Sequence, residues 1–209
     1  MTKVKAYPLL TGIIVFCLFV LFSYLVHKDL FIALDFDTTV KIQDYFPRRF
    51  DTWFSSFSLI GSFEIASILL LVLIALMRKL RLFFILISYT LIHFIELFGK
   101  IFVTHPGPPY LFFRYDIPFS FPSSYVAPGS SYPSGHAART AFISTLLFLM
   151  VYKSKKLSGF QKTIIFSLVL LFDVTMFISR IYLGEHWLTD VVGGAVLGVA
   201  MGLFSLVLF

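Results

Sequence analysis

Six apolar runs, each near the length that crosses a bilayer, dominate this chain of 209 residues. A spanning helix needs roughly 20 predominantly apolar residues. Residues 9–26, 57–77, 82–103, 135–152, 163–181 and 191–209 each approach that length, the strongest part of the fifth ending at 178. In lipid the backbone must satisfy its own polar groups, so each run is expected to be a helix. The expected fold is an all-α membrane protein, one domain over 1–209 with six transmembrane helices. The composition, 58% hydrophobic with 27 Phe and only 13% charged, excludes an ordinary soluble domain. The first run could pass for a signal peptide, but Val26-His27-Lys28 follows it and no small-x-small site does. It is expected to be retained as a helix.

The net charge of +6 is arranged by segment. Lys3 and Lys5 precede the first run, Arg78, Lys79 and Arg81 join the second and third, and Lys153, Lys155, Lys156 and Lys162 join the fourth and fifth. These nine basic residues stand with no Asp or Glu among them. The positive-inside rule puts all three segments in the cytoplasm, and with them both termini. Loops 27–56, 104–134 and 179–190 then face the periplasm or exterior, and a bacterial inner membrane is the expected location. Topology explains these charges sufficiently, so no nucleic-acid partner is expected. Oligomeric state is left open. The single cysteine, Cys17, allows no intrachain disulfide and is read as a small packing residue.

In 27–56, charged and apolar residues alternate in a way that suits an amphipathic helix at the membrane surface, broken by Pro47. It reads as a structural lid, with a substrate gate as the alternative. Loop 104–134 runs from His105-Pro106-Gly107-Pro108-Pro109 to Gly129-Ser130-Ser131-Tyr132-Pro133 and must be structured by turns. Its length is enough to suspect function. Phe112, Phe113, Phe119 and Phe121 in it suit either a lipid entrance or interfacial anchoring. Gly194, Gly198 and Gly202, four apart, favour close packing of the last helix within the bundle, or a dimer interface.

Ionisable groups in such a chain are functional candidates. Ser134 is a good N-cap for the fourth helix. A helix N-terminus at Gly135 offers free N–H groups and positive partial charge to a phosphate, with His136 in that first turn. His186 and Asp190 fall one turn apart, so the carboxylate can fix the imidazole tautomer and leave the other ring nitrogen free as a nucleophile. Arg180 and Lys100 end the fifth and third helices. By this topology Lys100, Ser134, His136, Arg180, His186 and Asp190 all lie at the outer face. Singly these signals are weak; in order and at one depth they point to phosphoryl chemistry.

The motifs Pro133-Ser134-Gly135-His136 and Ser179-Arg180-x5-His186-x3-Asp190 resemble those of the type 2 phosphatidic acid phosphatase (PAP2) superfamily, as does the six-helix layout. The resemblance implies that His186 is the nucleophile forming a phosphohistidine. It makes His136 the general acid and Asp190 the group that orients His186. Lys100, Ser134, Gly135 and Arg180 would hold the phosphate. It implies no metal and no cofactor, and a lipid phosphate or diphosphate as substrate: phosphatidic acid, phosphatidylglycerophosphate or isoprenyl diphosphate. The family's first motif, Lys-x6-Arg-Pro, is incomplete, because Lys100 is followed by Gly107-Pro108.

Arg139, one turn beyond His136, is the first candidate to supply the missing guanidinium, unless it pairs with Glu64 or Glu96 inside the bundle. Arg114 is the second, against a surface pair with Asp116, and His105 the third. If nothing replaces the Arg, weaker activity or a substrate with a second phosphate is expected. Glu96 is expected to pair with Lys100 or Arg139, His93 to be an interior histidine, Asp173 to contact polar groups in the core, and Glu185 to face solvent. The reading is an integral membrane lipid phosphatase. A lipid phosphotransferase sharing the phosphohistidine and a non-catalytic lipid binder or transporter are the alternatives. A vanadate-dependent haloperoxidase is disfavoured by the spanning helices and the missing Arg.

Overall fold

The computed structural model describes residues 3–77, 85–119, 121 and 129–206. Its helices run in the order α1 (Lys3–His27), α2 (Ile32–Tyr45), α3 (Asp51–Ser58), α4 (Phe63–Met77), α5 (Ile85–Phe102), α6 (Gly135–Lys153), α7 (Gly159–Tyr182) and α8 (Leu188–Ser205). No β-strand occurs among the described residues; the long loop holds one isolated bridge, Pro106 to Ser130. The basic segment Arg78, Lys79 and Arg81 lies outside the described residues.

Among the described residues four helices are long and apolar enough to span a membrane by themselves: Tyr7–His27, Ile85–Phe102, Gly159–Tyr182 and Leu188–Ser205. Their outer faces present Leu18, Leu21, Phe94, Phe98, Leu168 and Leu171, a surface that suits hydrocarbon and not water. The chain is an integral membrane protein with four such candidate spans among the described residues, or five if a bent pair counts as one. That pair takes in most of the second apolar run, expected as one helix over 57–77, together with the residues just before it. It breaks at Ser62, where residues 48–61 and 63–76 meet at 49°. Ser62 is extended (φ −61°, ψ 159°) after a 3-10 turn over Leu59–Gly61, and its hydroxyl accepts the Ile65 N–H at 3.3 Å. Gly and Ser at a bend are a usual cause of such a break. Helix α6, expected as the fourth span, does not qualify by itself among the described residues, since its first turns carry His136, Arg139 and Thr140.

α6 is central, packed against α4, α5, α7 and α8. Its closest partner is α8. A Cβ at Gly194 would fall on the Ser134 carbonyl, at Gly198 on the Ala138 carbonyl, and at Gly202 on Thr145. The glycine stripe is therefore used inside the bundle, where small residues let backbones approach. The main apolar core joins Phe19, Leu70, Ile92, Phe142, Leu146 and Leu197 from five helices. Cys17, expected to pack, is exposed on the outer face of α1, where a small apolar thiol meets lipid at little cost.

α2 inverts the amphipathic rule of soluble proteins. Asp35, Thr39 and Gln43, four apart, are buried, while Ile32, Leu34 and Phe36 are exposed. The Gln43 amide donates to the carbonyls of Phe112 (2.6 Å) and Tyr182 (2.8 Å). Pro47 follows and the helix ends at Tyr45, so the break falls where expected.

Candidate active site at one end of the bundle

α6 starts at Gly135 with Ser134 as its N-cap, the hydroxyl accepting the Ala137 N–H at 3.5 Å. Ser134 also donates its own N–H to the Asp190 carbonyl at 2.9 Å, which locks the N-termini of α6 and α8 together. His136 therefore sits one residue into α6 beside the start of α8. Its ring packs against Gly61, whose missing Cβ would stand 3.1 Å from the imidazole. The bend between α3 and α4 is thus placed at the site.

Asp190 lies in the first turn of α8. Its Oδ2 accepts the Trp187 N–H at 2.9 Å and stands 3.4 Å from His186 Nδ1. This assigns the Nδ1 hydrogen to Asp190 and leaves Nε2 without it. Burial holds the His186 imidazole below its ordinary value; Asp190 opposes this, and the charges of Arg180 and Lys100 add to it. A neutral ring with a free Nε2 is what a nitrogen nucleophile needs. The segment that carries His186 turns back at Gly184, whose φ of 69° is left-handed and whose missing Cβ would collide with the Phe112 carbonyl. The N–H groups of Glu185 and His186 both reach the Arg180 carbonyl at 3.3 Å.

Arg180 is 3% exposed. Its guanidinium contacts the Ser58 hydroxyl and the Glu185 carboxylate. Glu185, expected to face solvent, does not. It is buried, because a buried guanidinium requires a partner. Across the site Glu96 is central: Oε1 is 2.7 Å from Lys100 Nζ, and Oε2 is 3.4 Å from Arg139 Nη1 and 3.8 Å from His93 Nδ1. Arg139 also donates Nε–H to the Gly61 carbonyl at 3.0 Å. A Cβ at residue 135 would strike the Glu96 carboxylate, so this anion rests against the first turn of α6. The charges of Arg180, Arg139, His186 and Lys100 all bear on His136.

The structure thus brings His136, His186, Asp190, Arg180, Lys100, Arg139, Ser134 and Gly135 to one end of the bundle. Glu96 takes both expected partners at once. Gly107 donates its N–H to the Gly129 carbonyl at 3.3 Å and has no side chain to offer. The other two candidates for the missing guanidinium are engaged elsewhere. Arg114 donates to the Phe46 carbonyl at 3.0 Å and lies over the Tyr182 ring, not against Asp116, which instead accepts Thr52 Oγ1–H at 2.8 Å. His105 lies behind Asp190, its Nε2 3.5 Å from Asp190 Oδ1 and 3.6 Å from Asp35 Oδ2. Asp173 accepts the Ser144 hydroxyl at 2.6 Å, as expected of a core carboxylate. Phe112 is buried edge-on to Trp187 and Phe36, whereas Phe119 is exposed.

Sequence reading missed Ser58, Gly61, Thr189 and the inward role of Asp35. The spacing of Asp35, Thr39 and Gln43 was the available signal for the last. Ser58 and Gly61 carried none, being small residues at the edge of an apolar run.

The family model of the PAP2 superfamily matches residues 78–209. This chain belongs to the PAP2 superfamily. Among curated proteins it is 35% identical to phosphatidylglycerophosphatase B of Bacillus subtilis over 71 residues, 34% of this chain and 35% of that one. It is 38% identical to a dihydrosphingosine 1-phosphate phosphatase of Schizosaccharomyces pombe over 77 residues, 35% of this chain and 18% of that one. These matches span about a third or less of the relatives' lengths. The fold is similar to the transmembrane PAP2-type phosphatidylglycerolphosphate phosphatase of Bacillus subtilis, with a TM-score of 0.75, 18% identity and 93% of each chain covered. It is also similar to LpxE of Aquifex aeolicus, with a TM-score of 0.61, 25% identity, and 83% of this chain and 94% of that one covered.

Proposed function

We propose that this protein is a metal-independent lipid phosphate phosphatase that works through a phosphohistidine. The observation that carries the reading is His186, hydrogen-bonded through Nδ1 to Asp190 with Nε2 free, beside His136 and Arg180. In the first step His186 Nε2 attacks phosphorus in line. The bond from phosphorus to the lipid oxygen breaks, and His136 protonates the leaving alkoxide. In the second step His136, now a base, takes a proton from water, whose oxygen displaces His186 and releases phosphate. Arg180, Lys100, Arg139 and the α6 N–H groups stabilise the oxyanions. Membership of the superfamily and the phosphatase names of the relatives support a lipid phosphate or diphosphate as substrate. A six-span topology, with α3 and α4 as one bent span and α6 enclosed by its neighbours, belongs to this reading. The four lysines between 153 and 162 stand at the end of the bundle away from the site, and by the positive-inside rule the site then faces the periplasm or exterior.

Lys100, Arg139 and Arg180 already hold carboxylates, Glu96 and Glu185. A phosphate dianion must compete with these internal anions for the same cations, and Arg139 is positioned to replace the guanidinium absent at Gly107. The test is phosphate release by purified protein in detergent with EDTA, from phosphatidic acid, phosphatidylglycerophosphate and undecaprenyl diphosphate. Release that disappears in His186→Ala is expected. Undiminished release in that variant rejects the mechanism, and no release from folded wild type favours transfer to a lipid acceptor.

A further inference from the structure

Behind Asp190 lies a buried polar cluster that the two catalytic motifs do not account for. Asp35 from α2, His105 from the long loop and Asp190 from α8 are 2%, 5% and 0% exposed. Asp190 uses Oδ2 for His186 and Trp187. Its Oδ1 is buried without a hydrogen bond, and the nearest group of opposite potential charge is His105 Nε2 at 3.5 Å. The same Nε2 is 3.6 Å from Asp35 Oδ2 and 3.2 Å from Thr189 Oγ1. Thr189 places its one hydroxyl proton on Asp35 Oδ2 at 2.7 Å and its N–H on Asp35 Oδ1 at 2.9 Å. Every atom around His105 Nε2 is therefore an acceptor, which assigns the hydrogen to Nε2.

The loop holds this imidazole firmly. The His105 carbonyl accepts the Ser131 N–H at 3.0 Å and its hydroxyl at 3.3 Å, and the Pro106 carbonyl accepts Trp187 Nε1–H at 2.8 Å. The Tyr132 ring faces His105 edge-on at 6.4 Å, while His27 of α1 takes the Thr104 N–H instead. Among the described residues no three His, Cys, Asp or Glu side chains are grouped as a metal site. Asp35 and Asp190 repel one another at close quarters, and His105 is the group between them.

We propose that His105 is a positioning residue for the reaction: its Nε2–H stands between Asp35 and Asp190 and keeps the Asp190 carboxylate aimed at His186. Asp35 in turn anchors the first turn of α8 through Thr189. The inference rests on the phosphohistidine reading above. Without the His105 N–H beside it, Asp190 Oδ1 is left buried with no polar neighbour to hold it in place. A carboxylate turned away from Nδ1 no longer orients His186.

The experiment uses the full chain in detergent with EDTA and the lipid phosphate it hydrolyses best. Wild type, His186→Ala, His105→Gln, Asp35→Asn and the double variant are compared for kcat, KM and pH profile. His105→Gln is expected to lower kcat by about tenfold to a hundredfold, as loss of an orienting partner does, with KM changed less than about twofold. With Asp190 no longer held on Nδ1, its pull on the His186 ring weakens, so the acidic limb of kcat/KM moves to lower pH. Asp35→Asn retains acceptor and donor for Thr189 but removes an anion, so its limb moves to lower pH. In the double variant it restores part of the lost kcat. If His105→Gln does not fold, the direction of the Asp35→Asn shift decides. Unmoved limbs, or a kcat loss that Asp35→Asn does not relieve, overturn the role of His105 while leaving the His186 mechanism standing. Phosphate release that survives in His186→Ala overturns the mechanism itself, and this inference with it.

Discussion

His186 presents one nitrogen to Asp190, and under the proposed mechanism the other attacks phosphorus, from which its behaviour with pH follows. Burial lowers its proton affinity below the ordinary value of 6.5. Only the neutral ring is nucleophilic. Activity is therefore expected to persist as pH falls through 6.5 and to fail only as the lowered value is crossed, which a pH profile of kcat/KM checks. Asp190→Asn keeps an acceptor for the Trp187 N–H but removes the charge that stabilises the imidazolium; a loss of about a hundredfold or more in kcat is expected. Glu185 gives a prediction of opposite sign. Its carboxylate occupies the Arg180 guanidinium. Glu185→Gln weakens that internal competitor, and KM for a lipid phosphate is expected to fall by about two- to tenfold if the protein stays folded. A rise in KM would show that Glu185 holds Arg180 in place.

At the scale of elements, the site depends on two close approaches. Gly184 turns the end of α7 back so that His186 meets Asp190. Gly184→Ala adds about 1–2 kcal/mol of left-handed strain and a collision with the Phe112 carbonyl. A lower thermal midpoint in detergent and a kcat reduced at least about tenfold are expected. Gly198 lets α8 rest on the Ala138 carbonyl. Gly198→Val forces the helices apart, at a cost of about 1–3 kcal/mol, and separates the tied N-termini at Ser134 and Asp190. Both variants are checked by melting and by turnover. The glycine stripe and the Ser134 cap were legible in the sequence because local spacing determines them. The inward polar face of α2 was not. In a soluble protein the apolar side of such a helix turns inward, whereas here lipid takes the apolar side and Asp35, Thr39 and Gln43 turn toward the site. Glu185 was misplaced for a related reason: its neighbour in sequence faces the site, but its partner, Arg180, lies five residues back across a tight turn.

At the scale of the whole molecule, helical parity does most of the positioning. The C-terminal ends of α5 and α7 and the N-terminal ends of α6 and α8 meet at one end of the bundle, and the motif residues sit on those ends. That much follows from counting apolar runs, so the constellation is legible in the sequence. The bend at Ser62 is not, since a continuous apolar run hides it. Nor is the second use of the long loop, which places His105 against Asp190 from 85 residues away in the chain. The central claim concerns His186 as nucleophile, and trapping the covalent intermediate tests it most directly. Wild type is mixed with lipid labelled with radioactive phosphate and quenched in base within one turnover. Label stable to base, labile to acid and confined to the peptide containing His186 is the expected result, with none on His186→Ala. Steady hydrolysis with no label on that peptide, or equal label on the His186→Ala protein, would contradict the account.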